Sequence, residues 1–148
     1  MADNYSHFFT IGYEGLSLEE FVKKLLLHKV KVLIDVREIP WSRKNGFSKT
    51  KLTQRFKQES ITYLSFPELG SPQPTRNQLR DDEDYKKFFE AYSDYLDEHQ
   101  ESLIDILTLL KKRSVCLMCY EKDVNICHRK TIVEKIQSIN GKLNIKHL

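Results

Sequence analysis

Two close-set groups of residues in this chain carry atoms that could do chemistry. The first is Cys119, Glu121, Cys127, His128 and Arg129, all within a stretch of eleven residues. A thiol at or near a helix start, beside an imidazole and a guanidinium, is drawn toward thiolate by the helix dipole and its cationic neighbours. In that arrangement Cys127 is a candidate nucleophile and His128 and Glu121 are candidate proton-transfer groups, while Arg129 and the helix N-terminus hold an anion. The second group is Asp35-Val36-Arg37. Residues two apart on a strand share a face. A carboxylate ending such a strand suits a general base, and the arginine beside it suits a phosphate or carboxylate clamp. The plainer readings are an ion pair sealing the sheet rim, and a buried thiol with a helix-capping histidine.

Three cysteines, Cys116, Cys119 and Cys127, are an odd number and exclude a fully paired disulfide scaffold. Cys116 lies in an apolar run and reads as core. Cys119, Cys127 and His128 are metal-ligand types, but no second closely spaced pair completes a zinc motif. The preferred reading therefore assigns no metal, and no residue pattern names a cofactor. A cysteine-based redox or metal switch, with Cys119 and Cys127 as a reversible pair, stays open as an alternative. The cysteine-x5-arginine loop of tyrosine phosphatases and rhodaneses does not match. Arg129 stands ten positions after Cys119 and two after Cys127.

The elements that must position these residues alternate along the chain. Residues 7–11 read as a strand, followed by a helix opened by the capping-box pattern Ser17-Leu18-Glu19-Glu20 and carrying an apolar stripe of Leu18, Phe21, Val22, Leu25 and Leu26. A second strand at 30–36, nearly all apolar and β-branched, has the character of one covered on both faces. A helix from Ser48 to about residue 58, a strand at 61–66 and a proline-bearing loop at 67–80 come next. Residues 84–113 read as helical with a bend near 99–102, then a strand at 114–119, a helix at 127–139 ended by Gly141, and a short strand at 143–147. This order predicts a single three-layer α/β domain over residues 1–148, its mainly parallel, about five-stranded sheet flanked by helices.

Such sheets bind ligands outside the carboxyl ends of their strands. The distinctive residues fall there four times: Gly12-Tyr13-Glu14-Gly15 after the first strand, Asp35 to Arg37 with Pro40 and Ser42 after the second, Leu69-Gly70 after the third, and Cys119 to Arg129 after the fourth. The expected ligand-binding residues are Gly12, Tyr13, Glu14, Gly15, Arg37, Ser42, Gly70, Cys119 and Arg129. The expected catalytic residues are Asp35, Glu121, Cys127 and His128. The glycine pair is neither a Walker loop nor a dinucleotide fingerprint; it allows either an anion contact or simply a tight turn.

Taken together, these motifs, with Gly46-Phe47 between them, resemble one family, the domain of unknown function 488. The resemblance runs through nearly the whole chain in the family's order, and Cys119-x-Glu121 with Cys127-His128-Arg129 is its most specific part. It implies an intracellular α/β domain and carries no established reaction.

Composition bounds the rest. Hydrophobic residues at 40% and charged residues at 30%, with five glycines and four prolines, exclude disordered, collagen-like and low-complexity classes. No apolar run approaches the roughly 20 residues of a membrane span, and residues 1–4 lack the basic and apolar regions of a signal peptide. A cytoplasmic location with no membrane partner is the expectation. The net charge is +3, and it is unevenly distributed. Residues 41–60 carry six bases against Glu59, residues 81–101 nine acids against two lysines, and residues 111–148 nine bases against three acids. Basic blocks flanking an acidic one suit an anionic small molecule or a nucleic acid approaching one side. Arg43, Lys44, Lys49 and Arg55, interleaved with Trp41 and Phe47, are the nucleic-acid candidates for a noncatalytic binding module. Function is thus read as binding of a phosphorylated or nucleotide-like ligand at the sheet's rim, with chemistry on it within reach of the same residues.

Overall fold

Each apolar run bounded by turn residues becomes a strand. A computed structural model describes residues 5–148; residues 1–4, where no leader peptide is expected, lie outside the described residues. The strands are β1 (Phe8–Gly12), β2 (Val32–Asp35), β3 (Thr62–Ser65), β4 (Val115–Cys119) and β5 (Ile145–His147). They form one parallel sheet in the order β3-β2-β4-β1-β5. All residues of β1, β2 and β4 are buried, as a parallel sheet covered on both faces requires.

The helices are α1 (Leu18–Leu27), α2 (Lys49–Gln58), α3 (Gln73–Asp82), α4 (Tyr85–Asp97), α5 (Gln100–Leu110) and α6 (Arg129–Ile139). Phe21 and Leu25 of α1 and Leu52 and Phe56 of α2 pack with Ile11, Leu33 and Met118 on one face of the sheet. On the other face Tyr92, Leu103, Ile106, Ile132 and Ile136, from α4, α5 and α6, pack with Phe8, Val32, Ile34 and Leu117. Alternate residues of each strand serve opposite cores, which is the period-two geometry of a strand. Among the described residues no helix is long and apolar enough to cross a membrane.

Local chemistry explains several boundaries. Ser17 closes the expected capping box, accepting from the Glu20 amide at 3.1 Å while Glu20 accepts from the Ser17 amide at 3.0 Å. Ser48 holds the N-cap position of α2, but its hydroxyl accepts from the Ser42 amide instead of from its own helix. The expected loop at 67–80 is corrected to a 3-10 turn over Pro67–Leu69 followed by α3. Pro72 and Pro74 sit at the N-cap and in the first turn of α3, where the missing N–H groups would have had no helical partner. No residue of α3 is buried, so it carries no apolar stripe to read. The long helix breaks outright between α4 and α5, around Glu98 and His99. The last helix starts at Arg129 rather than at residue 127, because Cys127 is extended and His128 takes the N-cap position. Asn140, not Gly141, caps its end.

Candidate functional site

From the end of β2 the chain leads to β3 on one side, and from β4 it leads across β1 to β5 on the other. The helices that follow these two neighbouring strands lie on opposite faces. The carboxyl ends of β2 and β4 therefore flank a topological switch point, where such sheets open a crevice.

Asp35 and Arg37 converge at the β2 end. The Arg37 Nε donates to Asp35 Oδ1 at 2.8 Å and its second terminal nitrogen to Oδ2 at 2.6 Å, a bidentate pair with both partners buried. The Tyr63 hydroxyl donates to the same carboxylate at 2.5 Å. Burial raises the Tyr63 hydroxyl well above the ordinary tyrosine range, and the Asp35 charge adds to this. Burial works against the Arg37 charge, yet the Asp35 contacts outweigh it and hold the guanidinium fully protonated. The other terminal nitrogen of Arg37 donates to the Tyr13 hydroxyl at 3.2 Å, and the Tyr13 ring stacks on Phe47 at 4.6 Å between centroids.

The loop after β1 is laced to the loop after β4. The Tyr13 amide donates to the Cys119 carbonyl at 3.1 Å, the Glu14 amide to the Tyr120 carbonyl at 2.8 Å, and the Lys122 amide to the Glu14 carboxylate at 3.0 Å. A Cβ on Gly12 would run into the main-chain carbonyl of Glu121, and Gly15 turns the chain at φ +81°. Gly12 and Gly15 thus serve a close approach and a turn, with the Tyr13 and Glu14 amides engaged by the neighbouring loop.

At the β4 end, Arg129 is fully buried. It donates to Cys119 Sγ at 2.9 Å, to the Glu121 carbonyl, and to the Lys122 carbonyl at 3.1 Å, leaving its Nε without a partner among the described residues. It braces the 119–122 loop from inside rather than facing solvent. Cys119 and Cys127, both buried, are joined through their sulfurs, while Cys116 is free, buried, and pushed well above the ordinary thiol range by that burial. His128 Nε2 lies 2.7 Å from the Val36 carbonyl, so Nε2 carries the proton and Nδ1 is the acceptor, 3.9 Å from Cys127 Sγ. Burial lowers the His128 pKa to about 4; the Val36 carbonyl opposes this and the Arg129 and Arg76 charges reinforce it. Burial raises the Glu121 carboxyl above the usual range.

A cavity of about 230 Å³ opens over these groups. Of the expected site residues, Tyr13, Arg37, Cys119, Glu121 and His128 line it. Asp35 supports it through Arg37. Gly12, Glu14, Gly15, Ser42, Gly70, Cys127 and Arg129 are not among its lining residues; Gly12, Cys127 and Arg129 lie behind the wall. Glu38, Ile39, Ser71, Arg76 and Tyr120 complete the lining with Trp41, which is 62% exposed. Arg76 belongs to α3, where the sequence carried no signal. It donates to Glu38 at 2.9 Å and to the Ser71 carbonyl.

The basic segment at 41–60 is partly committed. Arg55 pairs with Glu19 and Glu59, Lys44 donates to the Tyr13 carbonyl at 3.0 Å, and Phe47 is buried in the core rather than exposed. A larger concavity, about 580 Å³, lies at the opposite end of the strands and is bordered by Lys29, Lys31, Lys112, Arg113 and Lys146, with no acidic residue among the described residues that line it.

The family model described as "Domain of unknown function DUF488" matches residues 17–136. The chain belongs to that family. The matched stretch carries the Asp35–Arg37 pair and the whole segment from Cys119 to Arg129 but starts after Gly12 to Gly15, so the family span covers both walls of the switch point and not the β1 loop. No curated protein and no solved structure matches the chain.

Proposed function

We propose that this member of the family binds a phosphorylated or nucleotide-like ligand in the cavity at the carboxyl rim, where Glu121 and His128 are placed to act on it. The observation that carries this reading is the convergence of two arginines and one exposed indole on that cavity. Each guanidinium has five N–H donors. Asp35 and Tyr13 occupy three of those on Arg37, and Glu38 and Ser71 two of those on Arg76. The remaining donors are available to phosphate oxygens, and the face of Trp41 offers a stacking surface for a base. The cavity, at about 230 Å³, suits the phosphate-bearing end, with the rest of the ligand lying against Trp41. His128, neutral at pH 7, accepts a proton through Nδ1, and Glu121, whose carboxyl burial pushes above its ordinary value, is the second proton-transfer group. Thermal shift and calorimetry with inorganic phosphate and nucleoside mono- and diphosphates test the reading. Ligand at 100 times its Kd stabilises the fold by about 2.7 kcal/mol. Arg76→Ala should remove that shift and Trp41→Ala should weaken only the nucleotides. No shift with any phosphate removes the reading.

A second reading, noncatalytic nucleic-acid binding, is favoured by the concavity at the amino ends of the strands, bordered by Lys29, Lys31, Lys112, Arg113 and Lys146. There the contacts are to phosphates, so affinity falls steeply with salt, each neutralised phosphate adding about −0.9 to the logarithmic slope on duplex DNA. Replacing Lys31, Lys112 and Lys146 with Ala should flatten that slope more than replacing Arg43, Lys44 and Lys49. Equal slopes would discard it.

A further inference from the structure

We propose that Cys119, Cys127, the Nδ1 of His128 and the carboxylate of Glu121 form a binding site for one zinc ion. One ligand atom from each of these residues lies within 4.8 Å of the others. Both sulfurs are buried, Cys127 behind the wall, while Cys119, Glu121 and His128 border the cavity, so the site is closed on the Cys127 side and faces the cavity on the other. This inference does not rest on the phosphate reading; with the ion bound, the Nδ1 of His128 and the Glu121 carboxylate are its ligands and anion binding falls to Arg37 and Arg76.

Three further observations favour the ion. The Cα atoms of Cys119 and Cys127 stand 7.5 Å apart, beyond the ~4.4–6.8 Å over which disulfides usually form. A relaxed disulfide requires the backbone to close in, whereas two thiolates on one ion require no such closure. Next, the hydrogen bond from His128 to the Val36 carbonyl, at 2.7 Å, selects the tautomer whose Nδ1 lone pair points away from it. Metal-bound histidines are oriented in this way by a carbonyl on the other ring nitrogen. The 3.9 Å from that Nδ1 to Cys127 Sγ is close to the roughly 3.6 Å expected for sulfur and nitrogen at about 2.3 and 2.1 Å from a tetrahedral zinc. Finally, Arg129 lies 2.9 Å from Cys119 Sγ. Two thiolates balance the charge of the ion, and the guanidinium balances that of Glu121. This also gives the buried cation a purpose beyond bracing the loop.

The balance of the step is simple. Zinc displaces the two thiol protons to solvent, no electrons move, and the disulfide and zinc forms exclude one another. With Glu121 as fourth donor on the cavity side, four protein ligands complete the tetrahedral shell, as in closed structural sites.

Titration of the reduced full-length protein with Zn²⁺ alone, in a non-thiol reductant, decides the matter. One equivalent should bind, and one equivalent of Co²⁺ should produce the absorption bands of a tetrahedral thiolate site, which Zn²⁺ then abolishes. Cys119→Ser and Cys127→Ser should each lose the bands, and Cys116→Ser should keep them. Should the serine variants fail to fold, cadmium-113 resonance on the unmodified protein counts the sulfur ligands, and a shift diagnostic of two sulfurs is expected. Absence of zinc binding by the reduced protein overturns the proposal, as do bands retained without Cys119 or Cys127, or a cadmium shift indicating no sulfur. Because no phosphate is present, failure here leaves the phosphate-binding result untouched.

Discussion

The ring nitrogen Nε2 of His128 donates to the main-chain carbonyl of Val36 at 2.7 Å, tying the residue after β2 to the N-cap of α6 across the switch point. The bond joins the two walls of the cavity from residues 92 positions apart. Replacing His128 with Ala leaves a buried carbonyl without its partner. A loss of about 1–3 kcal/mol of stability follows from the unpaired group alone, with a further contribution from the space left behind. Urea unfolding of the two proteins side by side reads it.

Asp35 is the hub of a buried polar set. Removing the Arg37 side chain leaves the carboxylate with only the Tyr63 hydroxyl and the amide of residue 37, and breaking a buried pair in this way costs about 3–5 kcal/mol. Tyr63→Phe, which removes one hydrogen bond and no charge, should cost about 1–2 kcal/mol. In a double-mutant cycle the Asp35 and Arg37 substitutions should be strongly non-additive. Additive losses would show that the two side chains do not act on one another.

Gly12→Ala drives a methyl group into the Glu121 carbonyl, with backbone on both sides of the clash. The β1 and β4 loops must then part, and their three cross-loop hydrogen bonds weaken together. Gly15→Ala meets no atom within 4 Å and pays only for its positive φ, on the order of 1 kcal/mol. Amide exchange at Tyr13 and Glu14 should accelerate in the first variant far more than in the second.

Cys116 is buried, and burial raises its thiol well above the ordinary range. Iodoacetamide at pH 8 should leave it unmodified in the folded protein and label it fully in urea, as read by mass spectrometry. Labelling of folded Cys116 at the rate of a free thiol would mean that the β4 core opens readily.

Elements whose information is local were legible in the sequence. The Ser17–Glu20 capping box, the apolar stripe of α1 and the fully buried, mostly apolar β2 each depend on neighbours within a turn or on burial of a whole run. They occur where the spacing predicts, except that of the α1 stripe only Phe21, Val22 and Leu25 are buried, Leu18 being half-buried and Leu26 exposed. The parallel α/β architecture follows from the alternation of such elements, and so does the placement of Tyr13, Arg37, Cys119, Glu121 and His128 at one rim. What tertiary structure alone decided was which neighbour each polar group faces. Arg129 looks like an anion holder beside His128, but the helix begins two residues later than Cys127 and turns its guanidinium inward against the Glu121 and Lys122 carbonyls. Phe47 reads as an exposed partner of the basic run and is instead covered by Tyr13 and Phe21. Arg76 arrives on a helix without a buried stripe and reaches the cavity only because α3 packs beside the β2 loop through Glu38. Strand order, and with it the switch point, depends on pairings between residues far apart in the chain, and no local pattern specifies those.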